Sequence, residues 1–435
     1  MDQTPLSPGP QPASSRTLRA RWVFPVTSPP IRDGVVVISG GRIAAVGPAR
    51  GEPADDLGHV AVLPGLVNAH THLDLSGLAA PLGPPGQGLT DWIRRVIDYR
   101  RQAGPAIREG FRLGLAESLG LGTTTLADVA QPDWPSEALA DSPCDATVFL
   151  ELIAPRMERV AAAMESARNH LQAGSSAIAK PQAAPTPWRA GLSPHAPYSV
   201  HPELLRQAVA LSASHHVPLA MHLAESREEI EWLRTGGGPL AALLESLGAW
   251  DPTAIQPGRS PLDYLRTLAR ADRVLVIHGN HLENAEIGFL AGHRERMAVV
   301  YCPRTHAWFG HRPYPLEKLL AAGAAVALGT DSRASAPDLS LLAEIRGVAR
   351  RHPSVPPQVV IALGTLGGAR ALGLADAGSL DPGCWANLAV VALPEREAAD
   401  PHELIVNEDG PVVRTCLRGM WADHCIALHY RNRPI

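Results

Sequence analysis

Lysine is nearly missing from this chain. Among 435 residues only Lys180 and Lys318 occur, and every other basic side chain apart from histidine is an arginine. Thiols are sparse too. The five cysteines (Cys144, Cys302, Cys384, Cys416 and Cys425) are odd in number and scattered, with no C-x-x-C pair. That excludes a disulfide framework and a thiolate zinc site. No apolar run approaches the roughly 18 residues that a membrane span needs. The opening MDQTPLSPGPQPASS has an acidic residue and prolines but no apolar h-region, so it does not read as a signal peptide. Excess charge is also absent. A formal net charge of -4 leaves no basic footprint for nucleic acid and no polybasic patch for a membrane surface. The expected partner is a small molecule, and the expected compartment is the cytoplasm.

What is present is ordinary for a large globular enzyme: 45% apolar and 19% charged residues. Residues 1–16 read as a disordered Pro/Ser-rich tail. Short strands follow at Trp22–Phe24, Gly34–Ile38 and Arg42–Val46, the last two joined by the hairpin signal Gly40-Gly41. Similar strands recur near the other end, at Gly383–Val391 and Pro411–Thr415. Together they predict a small β-sandwich domain assembled from both termini, 17–60 and 374–435.

Between these segments apolar strands alternate with helical stretches. The strand candidates are 61–67, 123–129, 145–153, 189–194, 217–223, 273–279, 297–303 and 324–330. Helical segments such as 105–121, 158–173, 202–215 and 338–351 fall between them. Eight βα units predict a (β/α)8 barrel over 61–373. Two insertions interrupt the alternation, 74–100 after the first strand and 236–262 between the fifth and sixth. The stretch 174–187 reads as a flexible linker.

Five strand ends carry ionisable side chains. Leu63–His72 runs an apolar strand into H-x-H, and residues two apart on a strand face the same side, so His70 and His72 form half a metal site. In Leu219–Glu225 a strand ends at His222, with Glu225 placed to shuttle a proton without ligating the metal. Val274–His281 ends at His278, and Ala325–Ser332 delivers Asp331, which suits a metal ligand and proton acceptor. Gly191–Tyr198 ends at His195. Each has a plainer role when taken alone: an incidental histidine pair, a core histidine, a helix N-terminal glutamate, an N-capping aspartate. Taken jointly they differ, because the C-terminal strand ends of a βα barrel converge on one mouth.

In this form the motifs PGLVNAHTHL, SPHAPYSV, MHLAES, VIHGNH and ALGTDSRAS resemble, in order, those of the amidohydrolase superfamily. The similar branch contains S-adenosylhomocysteine/methylthioadenosine deaminases, guanine deaminases and triazine hydrolases. The resemblance implies that His70, His72, His222 and Asp331 hold one divalent metal, Zn²⁺ before Fe²⁺ or Mn²⁺. It implies that Glu225 protonates a ring nitrogen, and that His278, with Asp331, takes a proton from the attacking water. His195, the lid-loop Trp92 and Ser332 then match substrate contacts. Lysine scarcity bears on metal count. Binuclear relatives bridge two ions with a carboxylated lysine on strand four, whereas strand four here ends in His195.

The implied reaction is deamination of a purine-like base or modified nucleoside. A triazine-type hydrolase removing chloride is the alternative within enzymes. A catalytically silent small-molecule-binding barrel is the alternative outside them, and the complete ligand set with its proton shuttle argues against it. The family's frequent dimers imply a homodimer. Two departures stand out. After strand seven, Cys302–His311 replaces the N-P-x-S-N segment of many relatives, so Arg304 and His306 (with His311) are expected to recognise an anionic substrate group. The acidic residue that grips ribose hydroxyls beyond the lid tryptophan has only Asp98 as a nearby match, followed by Arg100 and Arg101.

Overall fold

The computed structural model describes residues 15–140, 142–178 and 188–422. The tail to residue 14, Lys180 with the rest of 179–187, and Cys425 lie outside the described residues. Sixteen strands are present among those described: β1 (Arg16–Val23), β2 (Ile31–Ser39), β3 (Arg42–Pro48), β4 (Asp55–Asp56), β5 (Val60–Pro64), β6 (Leu66–Thr71), β7 (Thr123–Ala130), β8 (Asp145–Leu152), β9 (Trp188–Pro194), β10 (Pro218–Leu223), β11 (Arg273–His278), β12 (Met297–Tyr301), β13 (Ala325–Leu328), β14 (Leu388–Ala392), β15 (Val412–Leu417) and β16 (Met420–Trp421).

Strands β6 to β13 pair in sequence order, all parallel, with helices between them. Segments such as Val274–Ile277 and Val299-Val300 are apolar on both faces and wholly buried, as a parallel sheet covered by helices requires. The ring closes where Thr71 bridges Asp331, and the amide N–H groups of Thr330 and Asp331 donate to the carbonyl of His70 at 3.0 and 3.1 Å. Closure needs Gly329. A Cβ there would lie 2.8 Å from the His70 Cβ and 2.9 Å from its carbonyl oxygen. The molecule is thus a (β/α)8 barrel whose seam passes through two of the expected metal ligands.

The second sheet takes strands from both ends of the chain in the order β16-β15-β14-β5-β1-β2-β3, with β4 on β1. It packs its own apolar cluster, including Leu18, Val36, Ile43, Val62, Leu388 and Cys416. The β2–β3 hairpin turns on Gly40 and Gly41, at φ +59° and +77°, the left-handed pair that a tight two-residue turn demands.

Three sequence expectations change. The apolar run 61–67 is two strands, because Pro64-Gly65 breaks it: β5 belongs to the mixed sheet, so the expected boundary at 60/61 falls inside that strand. Gly65 also sits against Thr124, leaving no room for a Cβ. The flexible linker expected over 174–187 is helical over 174–178, where the helix Val160–Ile178 continues, and its remainder, 179–187, lies outside the described residues. The strand expected over 297–303 ends at Tyr301, and the helix Pro303–Trp308 follows, with proline at its first turn.

Candidate metal centre and active-site cavity

Strand geometry delivers the ionisable groups. His70 lies in β6 with His72 just beyond it, His222 lies in β10, His278 ends β11, and Asp331 follows β13. Ala224, His278 and Asp331 take left-handed backbone conformations, with φ of 55°, 67° and 56°. For residues with a Cβ this costs about 1–2 kcal/mol each. Strain of this kind clusters where a backbone must aim side chains rather than merely turn.

The ligating atoms of His70, His72 and His222 lie within 4.8 Å of one another, and so do those of His70, His278 and Asp331. His72 Nε2 and His222 Nε2 stand 3.4 Å apart, and His70 Nε2 is 3.8 Å from Asp331 Oδ1. Both ring nitrogens of His70 and Nδ1 of His72 are buried without a hydrogen-bond partner. An unpaired buried polar group typically costs about 1–3 kcal/mol, so the cluster fits an ion that would use those lone pairs. Burial, then repulsion among the imidazoles, holds His70, His72 and His278 well below the usual histidine range. His222 is lowered to about 3 by the same causes. Neutral imidazoles with free lone pairs are the form a metal binds. Outer contacts fix the donors: His222 Nδ1 lies 3.1 Å from the His195 carbonyl, and Ser335 Oγ donates to Asp331 Oδ2 at 3.2 Å.

Glu225 sits beside this cluster, its Oε1 3.5 Å from His278 Nε2. Burial first, then the nearby Asp331 carboxylate, raises its pKa well above the ordinary value, which favours the proton-carrying form. Its backbone is clamped. Glu229 accepts the amide N–H groups of Ala224 and Glu225 at 2.8 Å each, and Asn280 Nδ2 donates to the Glu225 carbonyl at 3.0 Å. Sequence reading passed over Glu229 and Asn280. The only local signal was a carboxylate four residues after Glu225.

His72, His222, His278, Asp331 and Glu225 share one cavity of about 180 Å³ that opens to solvent. The two insertions build its outer walls, through the helices Leu89–Ala103 and Pro239–Ser246. Trp92 lines it, tied by its indole N–H to the Ala334 carbonyl at 2.9 Å and packed on Phe309. His195 lines it as well, with Nδ1 2.6 Å from Ser199 Oγ and Nε2 3.8 Å from Glu151 Oε1. Glu151, which ends β8, and Arg100 are wall residues that sequence reading did not assign. The signal for Glu151 was the one used elsewhere, an ionisable residue closing a barrel strand.

The remaining expected contacts fall elsewhere. Arg304 does not line the cavity. Its guanidinium donates to Glu344, to Asp338 Oδ1 at 2.6 Å, to the Asp338 carbonyl at 2.8 Å and to the Ser340 carbonyl at 3.3 Å, which turns it away from the cavity. His306 is also outside, its Nε2 2.9 Å from the Arg312 carbonyl. Ser332 is buried next to Asp331 without reaching the cavity, and Asp98 does not line it either.

Comparison with known proteins agrees with this architecture. The 5-methylthioadenosine/S-adenosylhomocysteine deaminase of Moorella thermoacetica is 31% identical over 412 residues, covering 88% of this chain and 87% of its own. The aminodeoxyfutalosine deaminase of Deinococcus radiodurans is 31% identical over 359 residues, covering 78% and 81%. Among solved structures, Helicobacter pylori aminofutalosine deaminase in complex with methylthio-coformycin superposes with a TM-score of 0.81 at 21% identity, over 93% of this chain and 99% of that one. An adenosine deaminase from Xanthomonas campestris with bound zinc gives 0.74 at 25% identity, over 95% and 93%. The sequence model of the amidohydrolase family matches residues 61–422, from β5 to the last described residue. With its ionisable strand ends gathered at the mouth of a parallel barrel, this chain belongs to the amidohydrolase family.

Proposed function

We propose that the protein is a single-metal aminohydrolase that replaces the amino group of an adenine-type nucleoside by oxygen, consuming water and releasing ammonia. The carrying observation is the buried Glu225 carboxyl, 3.5 Å from His278 at the edge of the imidazole cluster, with its pKa pushed upward by burial. Relatives named as deaminases of methylthioadenosine, adenosylhomocysteine and aminodeoxyfutalosine support a nucleoside substrate.

His70, His72, His222 and Asp331 are the residues that would hold the ion, Zn²⁺ in the first instance with Fe²⁺ or Mn²⁺ as alternatives. Bound there, a divalent cation supplies a water acidified towards a pKa of about 7. The chain's own residues handle the protons. His278 Nε2 and the Asp331 carboxylate receive the proton given up by the water. Glu225 donates its proton to a ring nitrogen as the amino-bearing carbon becomes tetrahedral, and a proton returned to the amino group lets it leave as ammonia. A general acid in this position typically contributes about 10²–10⁴-fold.

The same reading treats 61–373 as the catalytic barrel flanked by the β-domain of 17–60 and 374–435, with β5 straddling the first boundary. It also places a homodimer in the cytoplasm. No helix among the described residues is long and apolar enough to cross a membrane.

The test is ammonia release from a panel of adenine nucleosides, aminopurines and chlorotriazines, with metal content measured on the same sample. Ammonia from nucleosides at about one metal per chain is expected. Chloride without ammonia would transfer the site to triazine hydrolysis, and a metal-free protein that zinc does not activate would make it a binding pocket.

A further inference from the structure

The cavity has a second, chemically different end. Leu89, Ile93, Val96 and Ile97 follow i, i+4, i+7, i+8 spacing and present one face of the helix Leu89–Ala103 to the cavity, opposite Leu243 and Leu247. Such a face is normally covered by protein. Here Leu89 and Val96 are buried, Ile93 and Ile97 stay partly exposed along the cavity, and at the rim Leu247 and Ile153 are 40% and 47% exposed. The four helix positions extend over about 12 Å at 1.5 Å per residue, far more than one methyl group covers.

Charge in this arm is already spoken for. Among the described residues, Arg100 is the only arginine or lysine lining the cavity. Its Nε donates to Asp74 at 2.9 Å, and its Nη1 lies 3.8 Å from Glu151. One cation flanked by two carboxylates leaves no net positive charge, and Glu151 repels an incoming anion. A zwitterion entering the arm would surrender its hydration without gaining a partner for its carboxylate.

Resting on the deaminase reading above, we infer that the substrate carries an uncharged apolar substituent larger than methyl, on the side away from the reacting ring. The arm selects against substituents bearing a carboxylate or an amino acid. Glu151 and His195, between the two ends, face the hydroxylated middle of such a nucleoside.

The experiment uses adenosines bearing 5′-methylthio, ethylthio, propylthio and butylthio groups, with a carboxypropylthio and a homocysteinyl analogue. Deamination is followed by ammonia release, and binding of the same compounds and their inosine products by calorimetry. Apparent affinity should rise about fourfold per methylene, the factor expected for burying one CH₂. The carboxylated and zwitterionic compounds should fall at least roughly tenfold below the length-matched alkyl compound, the order expected for burying an unpaired charge. The double variant Ile97→Ala/Leu243→Ala should flatten the alkyl series. A flat series in the parent protein, or preference for the charged tails, would overturn the inference. Graded binding without any deamination would sink the deaminase reading alone, while neither deamination nor graded binding would sink both.

Discussion

Around Arg304 four of the five guanidinium N–H groups meet acceptors within the chain, and around His70 neither ring nitrogen has a hydrogen bond. Both clusters are buried, both follow barrel strands, and both gather side chains distant in sequence. Arg304 meets Glu344 and Asp338, and its own backbone N–H also donates to Glu344 at 2.9 Å. His70 meets other imidazoles and a carboxylate at distances too long for hydrogen bonds. A paired cluster is complete as protein and acts as scaffold. An unsatisfied one is complete only with something the chain does not supply, which the proposed function makes a cation.

Removing that cation should give the largest effect. A chelator should abolish turnover, restored by zinc, and lower the melting temperature, because an ion at 100 times its Kd stabilises the native state by about 2.7 kcal/mol. Asp331→Ala should reproduce the loss of turnover and lower the metal content measured on the purified variant. If full metal content persisted in Asp331→Ala, the aspartate would leave the ligand set. Next in size is Glu225→Gln, which removes the proton but keeps the shape. Turnover should fall about 10²–10⁴-fold with metal content unchanged. A variant as active as the parent would remove Glu225 from the chemistry.

The contrast between the clusters also shows what the sequence could and could not reveal. His70, His72, His222, His278 and Asp331 were legible because each ends an apolar run, and barrel topology sends all strand ends to one mouth. Glu151 obeyed the same rule and was passed over, since a glutamate at the end of a strand run has no distinctive neighbour motif. Arg304 was misread for a different reason. A basic residue among histidines looks like an anion site, and its partners Glu344 and Asp338 come from 40 and 34 positions later. Nothing local marks a guanidinium as already engaged. The insertions were legible as lengths but not as walls, because the apolar face of Leu89–Ala103 reads like any helix that packs on protein.

Arg304→Met should therefore act on stability and leave binding alone. Removing one partner of a buried pair leaves an uncompensated charge, here on Glu344, at a typical cost of about 3–5 kcal/mol. Denaturant unfolding should show that loss while KM stays within twofold, on the order of experimental error against the tenfold that 1.4 kcal/mol represents. A raised KM with unchanged stability would return Arg304 to the substrate, and the pairing argument would fail.

The smallest effect tests backbone strain in the same way. His216 ends the helix Pro202–His215 in a left-handed conformation, φ 52° and ψ 44°, on the surface. Asp331 holds nearly the same φ, 56°, inside the site. Glycine removes the Cβ clash wherever it is placed, but only the surface position has nothing else to lose. The exposed contact of His216 with Asp272 contributes little in water. His216→Gly should thus stabilise the protein by about 0.5–1 kcal/mol, read as a midpoint shift in urea, with metal content and turnover untouched. Asp331→Gly relieves the same strain and should still lose the metal. If both variants were stabilised and active, the left-handed turns at the barrel mouth would be incidental to the site.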